Sequence, residues 1–326
     1  MKIPLMIESK KSIFDGKILL ESINIEILDK LLNPINSHLL KSYDMITSND
    51  IYTNEYVKKT YSTEREQLYK YKNNIKFNKG FVRYDKTMDM QDYGRVFPYQ
   101  SLGLFSFRKQ IRGALAKNIY IDIDILNCHP TLLLQIAQSN ELECKYLNKY
   151  VNNRDKYLNL VMDTYDVCKD TAKNLFIVLL YLGSVREWKN AHKIESDVEL
   201  LFILELKKEL ANIGSILMNS NKILVDSIIK KQSKLKIKKN KVSSTMSFIL
   251  QEWECQIIEI IYGYCTEKKI INNDAILCCD GLMIKSNKYY NELLNEFSLL
   301  IYDKLGFSLT FTQKQLNTEI YDTLMN

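Results

Sequence analysis

Three aspartates stand where a carboxylate is hard to accommodate. Asp122 and Asp124 alternate with isoleucine in NIYIDIDIL (118–126), and Asp280 interrupts the apolar run AILCCDGLMI (275–284). Carboxylates between apolar strand residues are unfavourable unless paired or metal-bound. If acids from separate strands converge on one face, they can hold divalent cations for phosphoryl transfer. A second set of residues suits the other half of that chemistry. In KDTAKNLFIVLLYLG (169–183), Lys169, Lys173, Ile177 and Tyr181 recur every four residues and lie along one drifting helix face. Two lysines followed by a tyrosine suit a helix that meets a triphosphate and stacks beside a base. Plainer readings stand beside these. Asp-Gly is the commonest hairpin dipeptide, strand alternation can mark a solvated side, and a lysine stripe can be a solvated helix face.

The elements that must position these residues can be read from periodicity. The clearest strand is 118–126, with Ile119, Ile121, Ile123 and Ile125 on one face and Tyr120, Asp122 and Asp124 on the other. Cys128-His129-Pro130 ends it, and TLLLQIAQ begins a helix with Pro130 near its first turn. Residues 1–75 read as mostly helical, interrupted at Pro34, while the Tyr/Lys/Asn-rich stretch 56–86 reads as irregular or edge-stranded. Residues 154–218 read as helical nearly throughout, and 243–265 as one long helix. DAILCCDGLMIKS (274–286) reads as two short strands hinged at Asp280-Gly281, followed by a helix over 289–306 and a last strand over 307–314. No internal repeat is visible. This order predicts an α+β fold with a small antiparallel sheet carrying acids at strand ends.

Composition bounds the function classes. Of 326 residues, 46% are hydrophobic and 26% charged, which is enough for a core and excludes wholesale disorder. Ten glycines and four prolines argue against collagen-like, low-complexity and turn-dense all-β chains. A net charge of +6 fits a polyanionic partner without proving one. Charges break the short apolar run of MKIPLMIESKKSIFDGK, and no stretch reaches the ~18 apolar residues of a membrane span. The expectation is an intracellular protein, in cytoplasm or nucleus, neither secreted nor membrane-bound. Seven cysteines without paired CxxC motifs fit a reducing compartment, with Cys278 and Cys279 as buried thiols. His38, His129 and His192 stand far from suitably spaced cysteines, which argues against zinc.

DIDILNCHPTLLLQIA, KDTAKNLFIVLLYLG and CCDGLMI, in this order, resemble motifs A, B and C of family A (Pol I-like) DNA polymerases. Motif B there reads R-x-x-x-K-x-x-x-F-x-x-x-Y-G, and Lys169, Lys173, Ile177 and Tyr181 fall at the same spacing. Upstream, GRVFPYQSLGLFSFRKQIRGALAKNIYIDIDI resembles the family's approach to motif A and brings in Gly94-Arg95, Arg108 and Arg112. Gln251 lies 29 residues before Asp280, where the family has a helix Gln that contacts the primer–template minor groove. The resemblance covers roughly residues 90–315. Departures are Lys169 for arginine, Ile177 for an aromatic, Leu182 for glycine, and Cys279 and Gly281 for the His and Glu that flank the motif C Asp. The register of motif A has two solutions. Asp124 as anchor also matches the D-x-x-S-L-Y-P-S of family B, and Asp122 would align Leu126-Asn127 with the Ile-Glu of family A. Asp124 is favoured, because His129 then falls five residues on in both families.

The resemblance implies a compact, exonuclease-less form, of viral or mobile-element type: a small antiparallel palm sheet, helical fingers and a mainly helical N-terminal region. It divides the chain into a thumb-like region 1–90, palm part 91–150, fingers and basic loop 151–240, and palm part 241–326. The implied activity is template-directed nucleotidyl transfer from dNTPs to a primer 3′-hydroxyl, with two Mg²⁺ ions that Mn²⁺ can replace. Metal ligands would be Asp124 and Asp280, with Asp122 beside them. Lys169 and Lys173 would neutralise the triphosphate, with Lys173 as proton donor. Ile177, Tyr181 and His129 would line the nucleotide, His129 facing the sugar. Arg95, Arg108, Arg112, Gln251, Lys236, Lys238 and Lys239 would meet nucleic acid, the last three within the lysine run 230–241, which otherwise reads as a surface loop. Implied partners are primer–template nucleic acid, DNA first, nucleoside triphosphates, and a helicase or other replication protein. Two alternatives stay open: a primase or template-independent nucleotidyltransferase on the same scaffold, and a catalytically silent nucleic-acid-binding protein.

Overall fold

The computed structural model describes residues 2–8, 10–41, 63–86, 93–236 and 240–326. Its fold is α+β, with two antiparallel sheets set among helices. The smaller sheet joins β1 (Lys17–Leu20), β2 (Phe81–Lys86) and β3 (Val96–Pro98) in that order. The larger joins β4 (Tyr120–Ile125), β5 (Ile276–Cys278), β6 (Gly281–Lys285) and β7 (Phe311–Lys314) in the order β5-β6-β4-β7. β4 is thus an inner strand, hydrogen-bonded to β6 on one side and β7 on the other.

Both faces of the larger sheet are covered. Ile123, Ile125, Leu277, Leu282 and Ile284 enter one hydrophobic core, which extends through the helices Cys128–Ser139, Leu201–Ser220 and Lys241–Glu267. Tyr120, Ile276, Cys278 and Met283 enter a second core with the helices Ile25–Leu32 and Lys109–Ala116. Each fully buried aliphatic side chain contributes roughly 1.5–3 kcal/mol. The consequence for the acids is direct. The Tyr120/Asp122/Asp124 face is not a solvated strand side, and Asp122 is only 6% exposed.

Sequence periodicity located most elements, with corrections. The expected long helix is Lys241–Glu267, capped by Asn240, whose side chain accepts from the backbone N–H groups of Val242 and Ser243. The 154–218 region is helical as Arg154–Tyr165, Lys169–Leu180, Val185–Ala191 and Leu201–Ser220, with a break before the last. The stretch read as irregular or edge-stranded contains the helix Glu64–Asn78, started by the Thr63 cap. Its weak apolar stripe hid it: Leu68 and Tyr71 are buried in the core and Ile75 packs against it. β1 went unread in sequence, and β2 falls in the stretch read as irregular or edge-stranded but is the middle strand of its sheet; the two pair across more than 60 residues. The basic run 230–241 begins inside the helix Lys222–Leu235, so it is not all loop; Lys238 and Lys239 lie outside the described residues. Cys278 is buried and Cys279 half-buried.

Candidate active site

The register of the sheet brings two of the three aspartates together. Asp124 pairs with Gly281 of β6 and Thr312 of β7, so the residue before Gly281 is set beside the end of β4. Asp280 sits there, in the two-residue turn Cys279-Asp280, and its carbonyl accepts from the Ile125 N–H at 3.0 Å. The hairpin therefore turns one residue earlier than the expected Asp280-Gly281 hinge, with the positive φ of 42° at Cys279. Gly281 is required for a different reason. A Cβ there would lie 2.0 Å from the Ile123 carbonyl oxygen, so only glycine lets β6 approach β4.

The Asp124 carboxylate is short of positive charge. Burial pushes the Asp124 carboxyl up, the negative charge of Asp280 pushes it further, and Lys314 only partly offsets them, leaving a pKa of about 7. Lys314, opposite Asp122 on β7, reaches Asp124 at 2.8 Å. Burial works against the Lys314 ammonium, but Asp124 and Asp280 outweigh it and raise its pKa. Asp122 lies two residues deeper. Its carboxyl is also raised, by burial first, with Lys314 and Arg112 pulling it down.

A few residues along the chain, the αL residue Asn127 (φ 52°) turns β4 into the Cys128–Ser139 helix and places His129 in its first turn. His129 Nδ1 hydrogen-bonds the Tyr181 hydroxyl, so the strand–helix turn meets the end of the Lys169–Leu180 helix. The other ring nitrogen lies 3.4 Å from Glu254 of the Lys241–Glu267 helix. Glu254 is fully buried and also takes Arg95, Nε at 2.6 Å and Nη2 at 3.0 Å. Burial alone would raise its pKa; Arg95 and His129 overcome that and hold it at about 2. Tyr181 is fixed from behind by Ser243, whose hydroxyl donates to the Tyr181 carbonyl at 2.6 Å.

The Lys169–Leu180 helix ends in a bond pattern that explains a departure noted in sequence. Gly183 N–H donates to Val178 O and Leu182 N–H to Leu179 O, the paired bonds of a Schellman cap. The residue between Tyr181 and Gly183 must then be left-handed, and Leu182 adopts φ 55°. Glycine would avoid the roughly 1–2 kcal/mol this conformation costs an L-residue.

The remaining sequence-predicted residues divide by environment. Lys169 pairs with Asp155 at 2.8 Å and Lys173 with Asp170 at 3.5 Å, both on the surface, and Ile177 is 44% exposed. Arg95 is drawn inward by Glu254. Arg108 donates to Glu64 at 2.6 Å and to the Leu39 carbonyl at 2.6 Å, so two of its donors tie the Glu64–Asn78 helix to the following chain. Arg112 stacks over Phe105, 5.3 Å from its centroid. Gln251 bonds Ser247 and borders Gly94, where a Cβ would lie 3.6 Å from its Oε1. Lys236 is exposed at the end of its helix in αL conformation.

Two partners escaped the sequence reading. Lys314 looked like an ordinary charge ending a strand. Glu254 carried a signal that could have been used: Glu252, Glu254 and Glu259 interrupt an otherwise apolar helix, as the aspartates interrupt their strands. A Cys128 sulfur, a His129 nitrogen and a Glu254 oxygen lie within 4.8 Å of one another. As a metal set they compete with Arg95 for Glu254, and burial, with Glu254 and Asp280, keeps the Cys128 thiol protonated well above its usual range.

No family model matches the chain. It is 29% identical over 304 residues to a protein of Sputnik virophage named "Putative helicase V13", a match that takes in 91% of this chain and 37% of that protein. The chain thus spans little more than a third of the length of that curated relative. A solved structure similar to it is the POL domain of Pol1 from M. smegmatis in complex with DNA primer-template and dNTP. The TM-score is 0.43 at 9% identity, over 78% of this chain and 51% of that one. Among the described residues, no helix is long and apolar enough to cross a membrane.

Proposed function

We propose that the chain is a template-directed nucleic-acid polymerase that transfers nucleotidyl groups from dNTPs to a primer 3′-hydroxyl. The observation that carries this reading is the meeting of Asp124 and Asp280 across β4 and the β5–β6 turn, with the Asp124 carboxyl raised to about 7. Crowded carboxylates of this kind are a hard-oxygen donor set, suited to Mg²⁺ or Mn²⁺. Asp124 and Asp280 would hold the ions and Asp122 would stand behind them. When bound there, the ions neutralise phosphate charge and lower the pKa of the attacking hydroxyl.

The chain's own residues supply the rest. Lys169 and Lys173 sit on surface pairs weak enough to exchange for a triphosphate, since exposed ion pairs contribute about 0–1 kcal/mol. Lys173 donates a proton to the departing pyrophosphate. Tyr181 and Ile177 flank the base, and the His129 imidazole lies under the sugar, denying room to a 2′-hydroxyl. Arg112, Gln251 and Lys236, with Lys238 and Lys239, track the nucleic acid, while Arg95 and Arg108 are committed to Glu254 and Glu64. In this reading 91–150 and 241–326 form the palm, 151–240 the fingers, and 1–90 a thumb-like region.

The name of the virophage relative raises helicase activity, which needs a nucleotide-binding loop of the G-x-x-x-x-G-K-[ST] type. No such run occurs in this chain. A helicase would then be a partner or a separate part of a longer protein. The test is Mg²⁺-dependent extension of primed DNA and RNA templates. Template-matched addition is expected. No extension of either with Mg²⁺ or Mn²⁺ would overturn the reading, and products on unprimed strand would redirect it to a primase or a template-independent transferase.

A further inference from the structure

The buried glutamate of the Lys241–Glu267 helix does more than neutralise an arginine. Glu254 presents one carboxylate to two cationic or donor groups from different parts of the chain: the Arg95 guanidinium in a two-bond fork, and His129 Nε2 at 3.4 Å. That His129 nitrogen is buried and makes no hydrogen bond of normal geometry, so Glu254 is the polar group it faces. The other ring nitrogen meets the Tyr181 hydroxyl. Arg95 donates to Glu254 from one side, and a His129 ring carrying its proton on Nε2 would turn that N–H toward Glu254 while accepting from the Tyr181 hydroxyl at Nδ1. Ser243, three turns earlier on the same helix, holds the Tyr181 backbone. One helix therefore clamps both ends of the chain of contacts Arg95–Glu254–His129–Tyr181.

We propose that Glu254 is a positioning residue that fixes the tautomer and orientation of the His129 ring and thereby sets selectivity between deoxyribose and ribose. The role in sugar selection rests on the polymerase reading; the fixing of the ring does not. A ring that excludes a 2′-hydroxyl by bulk must not swing aside. With Glu254 in place, rotation of His129 would carry Nε2 away from the buried carboxylate 3.4 Å from it and give up that electrostatic contact in a site where the ring is largely buried. With a neutral amide at 254, the ring loses the charge that selects one tautomer, and the Arg95 fork loosens with it.

The test is Glu254→Gln, close in volume to the native side chain. The chain has three histidines, His38, His129 and His192, so ring ¹⁵N resonances can be assigned with single His substitutions. The wild-type His129 ring is expected as the Nε2–H tautomer, and the variant as a mixture. The ratio of kcat/KM for dNTP to that for rNTP is expected to fall by about tenfold or more in the variant, within the range pocket sterics supply. In a His129→Ala background, adding Glu254→Gln should change that ratio no further, because the residue acts through the ring. If dNTP and rNTP use fall together and the tautomer is unchanged, Glu254 is a structural ion-pair partner and the proposal is overturned. If wild type extends no primer, the polymerase reading fails with its sugar selection, and the ring spectrum still decides whether Glu254 fixes His129. Should Glu254→Gln not fold, Glu254→Asp keeps a charge for Arg95 while drawing the carboxylate back from the ring, and the same readouts apply.

Discussion

Two groups of buried acid face opposite situations. On the Lys241–Glu267 helix, each buried glutamate has its partners: Glu252 the Lys86 ammonium at 2.9 Å and the Gly94 N–H, Glu254 Arg95 and His129, and Glu259 the Ser12 hydroxyl and Ile13 N–H. At the end of the larger sheet, Asp124 and Asp280 repel each other with Lys314 as the cation in direct contact with Asp124, and Lys314 is half-exposed. The glutamates fasten the chain, Glu259 holding the N-terminal segment, Glu252 the end of β2 and Gly94, and Glu254 Arg95. Asp124, beside Asp280, holds an electrostatic deficit that folding alone does not relieve. A partnered buried acid is a structural device; an under-partnered one is a place for an external cation.

The largest effects should fall on the aspartates, and on activity alone. Asp124→Asn or Asp280→Asn should lower single-turnover primer extension by roughly 10³-fold or more, since the ions they would hold are worth several kcal/mol in the transition state. The thermal midpoint of Asp280→Asn should stay level or rise, because a repulsion is removed. A midpoint that fell instead would mean that Asp280 is a structural acid like the glutamates.

Next in size is the reverse case. Lys86→Ala strands the fully buried Glu252 carboxylate and should destabilise the fold by about 3–5 kcal/mol, the usual result of breaking a buried pair. Urea denaturation measures it, and a loss under ~1 kcal/mol would remove the distinction between the two acid groups.

A smaller effect separates the groups by pH. Asp124 is raised to about 7, above its unfolded value near 4, so the native state holds that proton more tightly. Its contribution to stability is full below about pH 4 and is lost as pH rises through 7. Glu254 is lowered to about 2, so its contribution is present above its unfolded value and lost as pH falls toward 2. Thermal midpoints between pH 5 and 8 should decline in wild type and decline less in Asp280→Asn, where the repulsion that raises Asp124 is gone. Equal declines in both would contradict the coupling.

Much of this was legible in sequence because it is local. Alternation gave β4, four-residue spacing gave the Lys169–Leu180 helix, and Asp280-Gly281 marked a turn to within one residue. What escaped was set by long-range pairing. β1 and β2 find each other across more than 60 residues, Lys314 meets Asp124 only through the β4–β7 register, and Glu254 meets His129 and Arg95 only when helix, turn and loop have packed. Whether the Tyr120/Asp122/Asp124 face was solvated stayed open in sequence because one strand cannot report that a second core covers it. The turn slipped by a residue because Gly281 serves a close backbone approach, which spacing does not distinguish from a positive φ.

The central claim, that the Asp124–Asp280 pair is a divalent-cation site, is tested most directly by calorimetric titration of Mn²⁺ into the protein at pH 7.5, with primed template and a non-hydrolysable dNTP present. Wild type should give a saturable heat accompanied by proton release, as the raised Asp124 carboxyl gives up its proton to the ion. Asp280→Asn, folded to the same midpoint or higher, should give no heat beyond that of Mn²⁺ binding to the template and nucleotide alone, which is subtracted from both titrations. Equal heats in the two proteins, or no heat in wild type, would contradict the account.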